Sequence, residues 1–217
     1  MKRKIQNISA FLALALIFSC TKEDGITPNW PKKSDFGGAG RAFAVSFTVG
    51  SKAYLGTGYN GSYLKDFWEY DPSSDSWIQK ADFDGTARSR ATGFSVGPKG
   101  YIGLGYDGAY KNDIWEYNPS LNIWTLKSNF PSSVRDGTTC FVIGSKAYLG
   151  TGYNGSMNKD IWEFYPDSNQ WTGKASFPGT GRFMCSAFSI GGKGYMGMGY
   201  SNQYENNFYE YNPVSNS

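Results

Sequence analysis

From residue 41 onward, short apolar segments alternate with glycine-rich or polar turns, and the alternation returns every 47 residues. Arg41 to Val49 places large Phe43, Val45, Phe47 and Val49 between small Ala42, Ala44, Ser46 and Thr48. A period of two predicts a strand, and large residues facing small ones let neighbouring units interlock. Gly50-Ser51 turns the chain into a second strand, Lys52 to Thr57. A loop through Tyr59, Asn60 and Gly61 leads to a third, Asp66 to Tyr70. Asp71-Pro72-Ser73-Ser74-Asp75 reads as a turn, because proline fixes φ and Asp and Ser bond their own backbone. A fourth strand begins near Trp77.

Rows of 47 need no insertion. Gly56-Thr57-Gly58-Tyr59 falls on Gly103-Leu104-Gly105-Tyr106, Gly150-Thr151-Gly152-Tyr153 and Gly197-Met198-Gly199-Tyr200. Arg41 maps onto Arg88, Arg135 and Arg182, while Trp77 maps forward to Trp124 and Trp171 and back to Trp30. Four antiparallel strands repeated radially describe the blade of a β-propeller, so the fold is expected to be all-β. The repeats run 41–87, 88–134, 135–181 and 182–217, preceded by an outer-strand segment at 30–40. The next tryptophan of the series would fall at 218, one place beyond Ser217. Two closures follow: either Trp30 to about Lys33 completes the last blade of a four-blade ring, or the repeats belong to a larger propeller of about four to eight blades.

An arginine opening the inner strand, Tyr54 ahead of a glycine pair, a third strand ending in Tyr70-Asp71-Pro72 and Trp77 opening the outer strand together resemble the kelch repeat. The resemblance covers residues 30–217, with one departure: kelch glycines are usually adjacent, and here they are spaced as Gly56 and Gly58. The set is similar to kelch lipoproteins of Bacteroidota, some of them labelled galactose-oxidase-like. In kelch propellers the repeated arginine tends to sit at the channel mouth. The resemblance therefore implies Arg41, Arg88, Arg135 and Arg182 as candidate binders of an anionic ligand, since guanidinium matches carboxylate and sulfate. Satisfying carbonyls at each blade's own edge is the other role open to them.

The N-terminus reads differently. Lys2, Arg3 and Lys4 precede an apolar run from Ile8 to Phe18, the layout of a secretory signal over residues 1–20. The run is too short to cross about 30 Å of hydrocarbon. Ile17-Phe18-Ser19-Cys20 resembles a bacterial lipobox, which implies cleavage before Cys20 and lipidation of its thiol, with residues 21–29 as a polar tether. The expected location is the outer membrane, on its periplasmic side or at the cell surface, with lipid as the sole membrane contact. Residues 1–20 hold three of the 21 Lys and Arg and none of the 18 Asp and Glu, so the remainder has no net charge. A nucleic-acid partner, which needs a basic face, is not expected.

The chain has no histidine. That removes the commonest general base, the triads built on it, and His-ligated metal sites, including the copper centre of galactose oxidase itself. No catalytic residue, metal or cofactor is expected. Cys140 and Cys185 read as small buried thiols or, less simply, a disulfide. Glu69, Glu116, Glu163 and Glu210 recur once per unit, which favours pairing with Lys or Arg, or a solvated face, over acid–base work. Lys33, Lys80, Lys127 and Lys174 read as edge protection. The loop between second and third strands varies between units, and Tyr63, Tyr110 and Tyr204 share a phase in it. Variable loops on a repeated scaffold are where recognition concentrates, and tyrosine either stacks on sugar faces or packs over its blade. The sequence thus points to a noncatalytic module binding a glycan or protein through its loops. A periplasmic carbohydrate enzyme similar to kelch sialic-acid mutarotases and an architectural envelope subunit are the alternatives.

Overall fold

The computed structural model describes residues 30–217; the signal segment, Cys20 and the tether lie outside the described residues. Residues 30–33 carry no strand and are exposed. Ser34–Ser217 forms a compact unit of fifteen strands. Blade 1 is β1 (Val45–Val49), β2 (Lys52–Gly56), β3 (Phe67–Asp71) and β4 (Ser76–Gln79). Blade 2 is β5 (Thr92–Val96), β6 (Lys99–Gly103), β7 (Ile114–Asn118) and β8 (Ile123–Leu126). Blade 3 is β9 (Thr139–Ile143), β10 (Lys146–Gly150), β11 (Ile161–Tyr165) and β12 (Gln170–Lys174). Blade 4 has β13 (Ser186–Ile190), β14 (Lys193–Gly197) and β15 (Phe208–Tyr211). Every sheet is an antiparallel meander in chain order, which makes a four-bladed β-propeller.

Inner strands meet in the order β1, β5, β9, β13, and among the described residues β13 does not touch β1. The ring is open between blades 4 and 1. Among the described residues blade 4 is three-stranded.

Strand bounds differ from the sequence reading for a stated reason. Phe43 has φ 57° and Thr57 has φ 58°, left-handed conformations that no ladder accommodates. The inner strand therefore starts at Val45 and the second ends at Gly56. Thr57 occupies the gap between the spaced glycines. Gly58, with φ 108°, could carry no side chain, since a Cβ there would lie 2.9 Å from the Ala42 carbonyl.

Blades interlock as large on small. Phe47 lies on β6, where a Cβ at Gly100 would fall 2.0 Å from its ring, and Phe141 lies likewise on Gly194. Each buried phenylalanine contributes roughly 1.5–3 kcal/mol. The outer-strand tryptophans of blades 2 and 3 close the other end of their joints. Trp124 packs on Phe67 (4.9 Å), Phe83 (5.2 Å) and Tyr117 (4.8 Å), and its indole N–H donates to the Ala81 carbonyl.

The repeated glutamates are structural pairs. Glu163 accepts from Tyr148 (2.6 Å) and Lys146 (3.0 Å) and pairs with Lys174 (3.3 Å). Lys80 and Lys127 reach Glu69 and Glu116 in the same way, so these lysines neutralise the third strand's carboxylate as well as lining an edge. Cys140 and Cys185 are free thiols.

Candidate functional site: the loop face

The repeated arginines precede their inner strands by four residues. In blade 2, Arg88 donates Nε–H to the Thr86 carbonyl (3.0 Å). Its Nη1 donates to the Leu104 carbonyl (3.0 Å) and Asp113 Oδ1 (2.5 Å), and its Nη2 to Thr86 Oγ1 (3.0 Å) and Asp113 Oδ2 (2.8 Å). All five donors are used, and the side chain stacks 5.0 Å from Phe83. Arg135 repeats the arrangement on Thr151 and Asp160, and Arg41 on Thr57 and Asp66. Arg182 does so with Asn207 in the acceptor's place. Arg88, Arg135 and Arg182 are at most 1% exposed. These guanidiniums tie the β2–β3 loop and its equivalents to their own blades: Arg88 and Arg135 commit every donor there, and Arg41 and Arg182 make four such bonds each. Burial raises the Asp113 pKa, but Arg88 and the Trp115 indole outweigh it and hold the carboxyl below its ordinary value.

The loop tyrosines join neighbouring blades. Tyr63 lies between Tyr59 of its own blade (5.3 Å) and Tyr106 of the next (6.2 Å), and Tyr110 between Tyr106 (5.0 Å) and Tyr153 (6.1 Å). Burial and the neighbouring phenols push both hydroxyl pKa values up. Tyr204 packs on Tyr200 and is otherwise open to solvent.

The belt breaks between blades 3 and 4. Here the phase holds Met157 instead of tyrosine, and Phe183 bridges Tyr153 (5.6 Å) to Tyr200 (5.8 Å). A groove of about 690 Å³ opens at this break. Tyr153, Phe183 and Tyr200 supply aromatic surface, and Ser156, Thr180, Ser201 and Asn202 supply polar groups.

Nearer the axis, four left-handed residues, Phe43, Arg90, Gly137 and Met184, mark one position of each blade. Their backbones are chained: Arg90 N–H donates to the Phe43 carbonyl, Gly137 to Arg90 and Met184 to Gly137. All four line one recess with Thr138. Arg90 departs from the repeat, as does Asp136, and the two pair at 2.8 Å. Asp136 is fully buried, its second oxygen has no partner, and burial raises its pKa against the pull of Arg90. Sequence reasoning passed over both residues. The signal was available, because both stand at phases where all four units differ: Phe43, Arg90, Gly137 and Met184 at one, and Ala42, Ser89, Asp136 and Phe183 at the other. Among the described residues no group of three His, Cys, Asp or Glu could hold a metal ion.

No family model and no curated protein matches the chain. Among solved structures, that of YjhT is similar, with a TM-score of 0.68 and 15% identity over 78% of this chain and 62% of that one. The chain thus spans less than two thirds of that structure's length. At this identity the likeness shows the fold alone, a β-propeller.

Proposed function

We propose that this protein is a noncatalytic, lipid-anchored envelope module of kelch type that binds a neutral glycan at the groove between blades 3 and 4. The observation that carries this reading is the break in the tyrosine belt at Met157 and Phe183, which opens aromatic faces beside hydroxyl and amide groups. Sugars present apolar C–H faces and a rim of hydroxyls, and such a surface matches both. Stacking contributes about 0.5–1.5 kcal/mol per ring beyond buried area. Anchoring through Cys20 would keep the module at the outer membrane, beside envelope polysaccharide.

The test is a glycan array with the purified protein and two variants. Met157→Tyr restores the belt and narrows the groove, and Tyr153→Ala with Tyr200→Ala removes its stacking faces. Both are expected to lose the glycans that the parent retains, with little dependence on salt. Retention by both variants, still folded, would overturn the reading.

Arg90 and Asp136 favour a second reading, in which an anionic sugar is processed at the channel recess. That reading requires binding that weakens with salt and disappears in Arg90→Ala while Met157→Tyr binds normally.

A further inference from the structure

We infer that a groove between blades 2 and 3 binds a small zwitterion of the amino-acid class, with Lys99 taking the carboxylate and Asp167 the ammonium. The groove holds about 490 Å³ and lies at the hairpin turns, the opposite end of the blades from the tyrosine belt. An antiparallel meander puts the β5–β6, β9–β10 and β11–β12 turns at that end, and Gly97, Gly144 and Pro166 of those turns rim the groove. Its volume falls within the roughly 300–1,000 Å³ of small-ligand clefts.

Three departures from the repeat meet here. The first is a broken ion pair. Lys52, Lys146 and Lys193, which open the second strands of the other blades, donate to their own third-strand glutamates at 2.9, 3.0 and 2.6 Å. In blade 2 Glu116 accepts from Tyr101 (2.9 Å) and pairs with Lys127 (3.3 Å), and Lys99 stands apart. Lys99 lines the groove half-buried and makes no hydrogen bond or ion pair among the described residues. A charge withdrawn from water without a partner is unfavourable, so this ammonium is poised for an acceptor from outside the chain.

The second departure is Asp167, which stands where the other units have Ser73, Ser120 and Val214. It lines the same groove, again with no hydrogen bond or ion pair among the described residues. Burial, Glu116 and Asp167 together push the Tyr101 hydroxyl pKa up, so the Asp167 charge reaches the groove floor. The third is Phe164, where the other units have Tyr70, Tyr117 and Tyr211. Burial and the preceding blade's glutamate push the hydroxyl pKa values of Tyr117 and Tyr211 up, which places those hydroxyls near Glu69 and Glu163. Phe164 brings no hydroxyl to Glu116.

These departures define the ligand. Glu116 and Lys127 balance each other, which leaves one ammonium and one carboxylate that do not pair with each other. A ligand of single charge would meet one of them and leave the other unpaired. A zwitterion answers both through charge-assisted hydrogen bonds. Val96 and Pro98 supply apolar surface for its side chain.

Equilibrium dialysis of the full-length chain in mild detergent against labelled L-phenylalanine tests it, with phenethylamine and hydrocinnamate as competitors that each lack one of the two charges. Wild type is expected to bind phenylalanine saturably, and each competitor about tenfold more weakly or worse. Lys99→Met and Asp167→Asn should each weaken phenylalanine binding by about tenfold or more. Lys52→Met, which removes the paired equivalent in blade 1, should bind as wild type does. Lys99 is half-buried and Asp167 exposed, both without an ion pair, so circular dichroism should be unchanged in their variants. Four results would each overturn the inference: no binding of phenylalanine, a competitor as strong as phenylalanine, undiminished binding by both groove variants, or a loss in Lys52→Met equal to that in Lys99→Met.

Discussion

Blade 4 holds its buried arginine differently from the others, and this makes the arginine clamp testable. Arg41, Arg88 and Arg135 each face an aspartate 25 residues on, whereas Arg182 faces Asn207. Glu205, two residues earlier, bonds Thr180 and Ser201, and the Arg182 charge helps to hold its carboxyl below the ordinary glutamate value. The negative charge has moved rather than vanished. In blade 2 the corresponding residues are Asp107, Lys111 and Asp113, so Asp113→Asn strands Arg88, which is 1% exposed. Breaking a buried pair costs about 3–5 kcal/mol, and because Asp113 is partly solvated the lower figure applies, about 3 kcal/mol. At roughly 2–4 °C per kcal/mol for a unit of this size, melting should fall by about 6–12 °C. Asp107→Ser, Lys111→Glu and Asp113→Asn together copy blade 4 with the same net charge, and should recover all but about 1 kcal/mol. Thermal melts with hydrogen-exchange protection across β5 to β8 would measure both. If the triple variant melts as low as Asp113→Asn, charge balance is not what the clamp requires.

Gly100→Ala should cost about 1–3 kcal/mol by overpacking against Phe47, measured in urea, while the same change at open, solvent-facing Gly40 should cost almost nothing. Stability should hold from neutral pH down to about 5 and fall as pH drops below 3.8–4.5, the ordinary values of Asp113 and Glu163. Both have folded pKa values depressed by their cationic and hydroxyl partners against the opposing effect of burial, so their contribution is complete above the unfolded pKa and lost on protonation. Asp136 has the opposite sign: its raised folded pKa means that it opposes folding once ionised. Asp136→Asn should therefore cost less than about 1 kcal/mol or stabilise at pH 7, as chemical denaturation would show.

Much of this molecule is written in the period of 47. The count of repeats, the strand order and the packing of large residues on small ones follow from phases that any two rows share. The clamp was half legible. Arg88 stood out, but Asp113 recurs at the same period as Asp66 and Asp160, and only the folded loop reveals that 25 residues of separation close to 2.5 Å. The packing of the tyrosines was less legible for a related reason. Tyr63 varies with its loop, and its neighbour is Tyr106 of the following blade, a contact that depends on how sheets are splayed rather than on any spacing within one repeat. Arg90 and Asp136 were hidden by the strength of the pattern around them, since attention to what repeats passes over what does not.

The axial chain of backbone bonds from Phe43 through Arg90 and Gly137 to Met184 has a consequence for inheritance. Each link uses only backbone N–H and C=O groups, which Phe43, Arg90, Gly137 and Met184 all supply although their side chains have nothing in common. A duplication or deletion of one whole unit would regenerate the same link at the new seam, whereas a change of a few residues would misalign all the links beyond it. Selection on such a gene can therefore alter blade number in whole steps, while the four side chains around the axis drift freely and become the place where one propeller acquires chemistry that its ancestor lacked.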